Sequence, residues 1–590
     1  MIEGELIAVL VMRQLGLQVS HGHVSRSDRI MMEVSVIRGY FLRVSRIRYV
    51  FLMLAAMAAA VFSIFTPAPA LAMSNTCGGV QEQPWVRITQ PTLPSSATAP
   101  NCRYGAAASA KGASELAAMQ IGWLVSFGAS EPSWLPPNVA HTPMIRLQQN
   151  RDAEGRRLPT YTANPTFTEN GLGQLIRANP GATWIVGNEV DREIYQDDLM
   201  PEVYATAYHD AYQFIKQQDP TAQVATSALV LVSPGRIQYL DKVRDAYRTA
   251  YGATMPVDVW TFHAYLFAER NDDYMEYDGE PVFAGIANGT DLALALKNPY
   301  PYPNRPIEER LELCQRADYL CIYQHDNLDL FVEQVVEMRT WMKARGYQNT
   351  PLLLSEWSQL HPYVPTNDGT CFHKDEFGDC FTPPRVTDFM ETSVPYLESA
   401  IDPNLGYPPD NFRLVQQWAW FPLDDLGGSY TKSNPSILID PSTGELSQMG
   451  RKYRELIGQT TTQANLVIDQ VFVDLADVDP ETGTAVAELK VSIRNNGNTP
   501  TTAPFDVRFF RDSGLTQEIG RITIPGGLAG CAVTDAVAEI EWEGLGAGFH
   551  PYWVLVDGDN AIGPGDPKSK TGSSFVLVDP KQTFLPTLQR

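Results

Sequence analysis

A (β/α)8 barrel followed by a smaller all-β sandwich is the α/β architecture that three observations predict. Strand and helix signals alternate from about residue 115 to 460, the pattern of a largely parallel sheet with covering helices. Beyond residue 464 helix signals stop, and short alternating strands separated by turn clusters take over. Within the first region two apolar strands, in Thr183-Trp-Ile-Val-Gly-Asn-Glu189 and Pro351-Leu-Leu-Leu-Ser-Glu-Trp357, each lead into a glutamate, Glu189 and Glu356. Barrel strands deliver functional side chains to the C-terminal rim in this way.

The chain has 590 residues, more than one ordinary domain, with 44% hydrophobic and 19% charged residues, a globular composition. Its formal net charge of −23 repels phosphate backbones and argues against nucleic-acid binding. Residues 1–72 are read as an N-terminal extension and signal peptide, and 73–114 as an N-terminal segment. Arg43, Arg46 and Arg48 flank an apolar run from Tyr49 to Phe65, and Ala70-Leu-Ala72 follows the break at Pro67 and Pro69. Basic flank, apolar core and small-residue site define a secretory signal. Translation starting at Met31 or Met32 would place that flank normally. The mature protein is expected to be secreted, free of the membrane and monomeric.

Export makes the cysteines legible as disulfides. Of seven, six fall into local pairs: Cys77 with Cys102, Cys314 with Cys321, and Cys371 with Cys380. Cys531 is left over and expected as a buried free thiol. The spacings are not Cys-x-x-Cys and no histidine pair accompanies them, so a metal site is not expected.

Within the body, strands are expected at Gly122–Phe127, Pro143–Leu147, Thr183–Val186, Gln223–Val232, Val257–Tyr265, Pro351–Trp357 and Arg413–Phe421. Helices are expected at Thr168–Ala178, Met200–Gln218, Arg236–Tyr251, Asn327–Gly346 and Leu446–Ile457. An eighth strand is sought between Gln148 and Thr183 or at Trp85–Thr89. Because i and i+2 share a strand face, Leu352, Leu354 and Glu356 are expected on one face, as are His263 with Tyr265 and Trp418 with Trp420. Long loops, 269–326 and 358–384, follow two of these strand ends, and such loops commonly wall a cleft.

Two strand-end carboxylates are the minimal equipment for breaking a glycosidic bond: one protonates the leaving oxygen, the other attacks the sugar or activates water. Glu189, between apolar and amide neighbours that would raise its pKa, suits the acid/base role. Glu356 suits the nucleophile, with Arg146 or Tyr265 to hold it ionised. Asn188 can bond the sugar hydroxyl beside the reacting carbon, and Trp418 and Trp420 offer flat faces to sugar rings. Each has a plainer alternative. Arg146 reads equally as a rim ion pair, His263 as a satisfied core histidine, and one of the two tryptophans as packing. Asp191 is read as a cap of the following loop or helix. No cofactor is required, although Asp272-Asp273 could take Ca²⁺ incidentally.

Asn188-Glu189, His263-x-Tyr265 two strands later, Glu356 on the next and Trp418 on the last resemble the large clan of retaining (β/α)8 glycoside hydrolases, which includes cellulases, mannanases and β-1,3-glucanases. The resemblance covers about residues 115–460. It implies that Glu189 is the acid/base, Glu356 the nucleophile, and an aromatic of the last strand the sugar support. "PMIRL … WIVGNEVD" is similar to a β-1,3-glucanase-like branch, with Val190 where that branch has proline. The tail, residues 464–590, carries "VSIRNNGNTPTTAPFDVRFFRD" and "HPYWVLVDGDN", which resemble a bacterial cell-adhesion-related sandwich domain. This implies a spacer or surface-binding role, and Trp542, Tyr552 and Trp553 are candidates for either sugar contact or core.

The sequence thus points to a glycoside hydrolase acting with retention on a β-linked polysaccharide or oligosaccharide. The rivals are a non-catalytic carbohydrate-binding or adhesion protein on the same scaffold and a transglycosylase at the same site.

Overall fold

The computed structural model describes residues 100–107, 115–193, 196–270, 283–298, 306–361, 374–424, 435–478 and 481–578, with Tyr363, Asn367, Thr370 and Cys371. All of them belong to one compact unit, Pro84–Arg590. The signal segment, Cys77, the alternative strand at Trp85–Thr89 and Asp272-Asp273 lie outside the described residues.

The body is mixed α/β. Its strands are β1 (Asn101–Ala107), β2 (Ile121–Val125), β3 (Ala140–Thr142), β4 (Met144–Arg151), β5 (Arg157–Asn164), β6 (Thr183–Val186), β7 (Gln223–Thr226) and β8 (Trp260–His263). The short β9 (Glu269–Arg270) and β10 (Ala284–Gly285) pair with each other, and β11 (Leu352–Trp357) and β12 (Gln417–Trp420) complete the body. One sheet has the order β3-β2-β1-β12-β11-β8 and is parallel throughout. The other, β5-β4-β6-β7, is parallel except at its β5 edge. Only Pro143 separates β3 from β4, and a parallel bridge from Ala225 to Val259 connects β7 to the start of β8.

The strand that sequence periodicity leaves unplaced is β1. It pairs with both β2 and β12, so the parallel sheet begins upstream of residue 115, in the stretch taken as an N-terminal segment. The Gln148–Thr183 interval instead holds β5, an antiparallel partner of β4. Gly105 explains why β1 is hard to read: a Cβ there would stand 2.5 Å from the Trp123 indole, so a position facing its neighbour's largest side chain carries none.

Helices Pro201–Gln218, Pro234–Tyr251, Leu328–Ala344, Pro383–Ser399 and Gln448–Gly458 pack on the outer faces of the strands. Their ends follow local chemistry. The Ser233 side chain accepts from the Arg236 amide, Pro234 opens the helix, and Gly252 closes it at φ 68°, as capping rules require. The expected helix at Thr168–Ala178 is shorter, a π turn at Glu169–Gly173 running into Gln174–Ala178.

Two cores arise from strand alternation. Trp184, Val186, Leu352, Leu354, Trp418 and Trp420 join the large core shared with the helices. Trp123, Met144, Ile185, Ala225, Leu353 and Ala419 form a smaller one on the opposite strand faces. Parity breaks at β11. Leu354 is level with Phe262 and Glu356 with His263, so one extra residue is accommodated at Ser355. Such a bulge re-aims the next side chain along the strand. Glu356 therefore does not share the face of Leu352 and Leu354, contrary to simple alternation.

Beyond the last body helix come β13 (Leu466–Val478), β14 (Ala485–Asn495), β15 (Phe505–Phe510), β16 (Glu518–Ile524), β17 (Asp535–Leu545), β18 (Gly548–Val556) and β19 (Thr571–Val578). They form a β13-β14-β17 sheet and a β16-β15-β18-β19 sheet, with antiparallel pairs around a core of their own. Trp542 and Tyr552 belong to that core; Trp553 is half-buried.

This module is fastened to the body. Cys531 is not a free thiol: it bonds Cys102 on β1 across a sequence separation of 429 residues, which replaces the expected Cys77–Cys102 pairing. Nearby, the Cys102 amide donates to the Asn498 carbonyl at 2.9 Å. Arg103 makes a two-pronged bond to Asp410 at 2.7 Å and also reaches the Asn496 carbonyl at 3.2 Å. Val533 packs into the smaller body core with Trp123 and Leu353. The other two disulfides, Cys314–Cys321 and Cys371–Cys380, pair as expected. Among the described residues no helix is long and apolar enough to cross a membrane.

Candidate active site

Glu189 follows β6 through Gly187, whose φ is 90° and where a Cβ would stand 2.6 Å from the Val190 side chain. Only glycine fits that exit. Glu189 itself has φ 44°, a left-handed conformation that costs a non-glycine residue about 1 kcal/mol or more. Its side chain is almost fully buried.

His263, at the end of β8, has no solvent exposure and stands between the two glutamates. Its Nδ1 is 3.0 Å from Glu189 Oε1, and its Nε2 is 3.5 Å from Glu356 Oε1. The Tyr265 hydroxyl donates to Glu356 Oε2 at 3.0 Å. One oxygen of each carboxylate and a nitrogen of His263 lie within 4.8 Å of one another. Among the described residues this is also the group whose donors converge enough to hold a cation. Here a hydrogen bond engages each of the three residues.

The electrostatics differ from the expectation for Glu189. Burial pushes its carboxyl up, but the bond to His263 and the guanidinium charges of Arg192, 3.4 Å away, and Arg236 carry it below the ordinary value. Burial raises Glu356 to about 7; the Glu189 charge adds to this, while His263, Tyr265 and Arg146 oppose it. Burial would lower His263, yet the two carboxylates raise it. Sequence reasoning missed Arg192 because its approach depends on the turn after Glu189. Asp191 is no simple cap: it is buried against Arg236, whose Nε is 3.0 Å from Glu269.

Asn188 lies beside Glu189, its Nδ2 donating to Gln196 Oε1 at 3.0 Å, while its buried Oδ1 makes no hydrogen bond among the described residues. Arg146 on β4 pairs with Asp197 at 2.6 Å and still acts electrostatically on Glu356. The ion pair expected as the plainer alternative for Arg146 is present, and the charge of Arg146 also lowers Glu356.

Trp418 and Trp420 are a correction. Both are fully buried in the helix-facing core; Trp418 packs on Tyr104, and Trp420 on Trp357 while donating to the Ser436 carbonyl. Neither presents a face to a ligand. The opposite face of the same strand carries Ala419 and then Phe421, which belongs to an apolar cluster with Tyr265, Phe267 and Ala107. Phe421 meets Phe127 edge to face at 6.2 Å and Tyr265 at 6.4 Å, so it is the aromatic that follows the last body strand on the side of Tyr265. Alternation counted from Ala419 instead of Trp418 would have found Phe421.

No family model matches the chain, and no curated protein does. Among solved structures it is similar to a glucosidase from Croceicoccus marinus, at 11% identity over 75% of this chain and 94% of that one, with a TM-score of 0.34. It is similar to a monomeric β-xylosidase from Caulobacter crescentus, at 12% identity over 75% and 97% of the two chains, with a TM-score of 0.35. A CARDB domain from Pyrococcus furiosus matches 20% of this chain over 96% of its own length, at 16% identity and a TM-score of 0.16. With likenesses this distant, the functional reading rests on the geometry of the site.

Proposed function

We propose that the protein is an exported glycoside hydrolase acting on a β-linked polysaccharide or oligosaccharide with retention of configuration. In this reading the parallel strands of the two body sheets form one (β/α)8 barrel, and the seven C-terminal strands are a sandwich module docked against it. The observation that carries the reading is the convergence of two buried strand-end glutamates, with oxygens within 4.8 Å. Oxygens this close suit direct attack on the sugar, for which carboxyl groups about 5–5.5 Å apart are typical, better than the roughly 6.5–9.5 Å of inverting enzymes. The three disulfides suit an oxidising, extracellular setting.

The glutamates divide the work through His263. The Glu189–His263 pair holds one proton along its 3.0 Å contact, available to the glycosidic oxygen as the bond breaks. Glu356, once ionised, attacks the anomeric carbon to form a glycosyl ester, and Tyr265 orients it. Water activated by Glu189 then cleaves that ester.

Activity therefore rises with pH as Glu356 ionises, near 7, and falls when the Glu189–His263 pair loses its proton; as coupled groups they titrate together. Tyr265→Phe removes a bond that holds Glu356 down, so the acidic limb of kcat/KM moves to higher pH. Activity at pH 6 should then fall more than at pH 8, and a pH–rate profile of the two proteins checks the sign.

The test of the function is hydrolysis of β-linked glucans, mannans, xylans and aryl β-glycosides, with the anomer of the first product read by NMR. A product of the substrate's own configuration supports the reading. An inverted product sinks retention, and sugar binding without cleavage across the panel favours the scaffold protein.

A further inference from the structure

We propose that Asp197, with its neighbour Gln196, is a positioning residue that sets Arg146 and Asn188 toward the two glutamates. The inference rests on the reading of Glu189 and Glu356 as the reacting pair.

Asp197 is 2% exposed and sits in the connection after β6. Its Oδ1 accepts from Arg146 Nε at 2.6 Å, and its Oδ2 accepts from the Leu147 amide at 2.8 Å and the Asn188 amide at 2.9 Å. One carboxylate thereby ties Arg146 and Leu147, within β4, to Asn188 just after β6. Its own amide donates back to the Asn188 carbonyl at 3.2 Å. A buried carboxylate bearing three donors is held by all of them, and holds them in turn.

Gln196 adds direction. Arg146 Nη2 donates to Gln196 Oε1 at 3.2 Å, and Asn188 Nδ2 donates to the same oxygen at 3.0 Å. A guanidinium can only donate, so the oxygen end of Gln196 must face it. Asn188 must then present its NH₂ to Gln196, which leaves Oδ1, buried and unbonded among the described residues, as the free end beside Glu189. The sense of the Asn188 amide is thus set through Gln196 by a cation 50 positions from it in sequence. The free end accepts a hydroxyl hydrogen from a bound sugar.

The charged and titratable groups acting on Glu356 are His263, Glu189, Tyr265 and Arg146; of these, Arg146 is the one that Asp197 holds. Loosening it displaces a charge from the reacting pair without touching either glutamate. Misplacements of about 1 Å can cost about 10²-fold in rate.

Two measurements on the full-length protein test this. In arginine-labelled protein, the Arg146 Nε–H resonance, assigned by its loss in Arg146→Met, should be protected from exchange in the parent and unprotected in Asp197→Ala, which leaves no side-chain acceptor. Protection that survives in Asp197→Ala overturns the clamp, whatever the protein's activity. Separately, kcat/KM is measured on 4-nitrophenyl β-D-glucopyranoside and 4-nitrophenyl β-D-xylopyranoside. Asp197→Asn and Arg146→Met should each lower it by about 10- to 100-fold, mainly in kcat, and the double variant should be no worse than the poorer single one. Additive losses overturn the assignment of Asp197 to Arg146, because a general loss of stability would add. A parent protein that cleaves no β-glycoside refutes the hydrolase reading, and with it the catalytic meaning of the clamp, while the exchange result still decides whether the clamp exists.

Discussion

Glu356→Ala is expected to abolish turnover of β-glycosides, lowering kcat by on the order of 10⁴-fold or more. The variant leaves Glu189 and its proton partner His263 in place, so leaving-group protonation survives and only the attacking group is gone. Azide should enter the space vacated by the carboxylate. Its nitrogen bonds the anomeric carbon as the glycosidic C–O bond breaks and the Glu189–His263 proton passes to the leaving oxygen. The product is a glycosyl azide of inverted configuration. Glu189→Ala is expected to fail differently, by about 10²- to 10⁴-fold on substrates with poor leaving groups and far less on activated aryl glycosides, which need little protonation. Full activity in both variants would mean that other carboxylates do the work.

A large effect on stability is expected away from the site, at Cys102–Cys531. A chain-entropy argument makes a crosslink closing so long a loop worth more than one closing a short loop, and removal of a native disulfide commonly costs about 2–4 kcal/mol. The double variant Cys102→Ser/Cys531→Ser should melt several degrees below the parent in calorimetry without reductant. Cys314→Ser/Cys321→Ser, whose bridge spans 7 residues, should shift less. Val533→Asp would place a charge in the smaller body core and should destabilise by several kcal/mol, since an unpaired buried carboxylate is costly. An unchanged melting point in the Cys102/Cys531 variant would show that packing and the Arg103–Asp410 pair suffice to hold the module.

The sequence by itself determined the alternation of strands and helices, the change to β structure near residue 464, and the residues that converge at the site. Those signals are local: hydrophobic period, proline and glycine at element ends, and a polar residue closing an apolar strand. Glu189, His263, Tyr265 and Glu356 were legible because each stands at or just past a strand end, and parallel strands bring such ends together whatever their separation along the chain. β1 was not legible, because Gly105 and its small neighbours lack the bulky pattern of a buried strand and are defined by the space that Trp123 fills.

Tertiary structure decided the rest. Counting by twos put Trp418 with Trp420, one of them toward the ligand, and Glu356 with Leu354, yet both tryptophans face the helices and the Ser355 bulge turns Glu356 to His263. A face is defined only relative to a neighbouring strand, and register is a property of the pair. The partner of Cys102 was likewise a matter of space, since proximity in sequence favoured Cys77 while docking of the C-terminal module brought up Cys531. The charge on Glu189 obeyed the same logic. Its apolar neighbours in sequence suggested a raised pKa, but His263, Arg192 and Arg236 reach it through the fold, and their fields outweigh the burial.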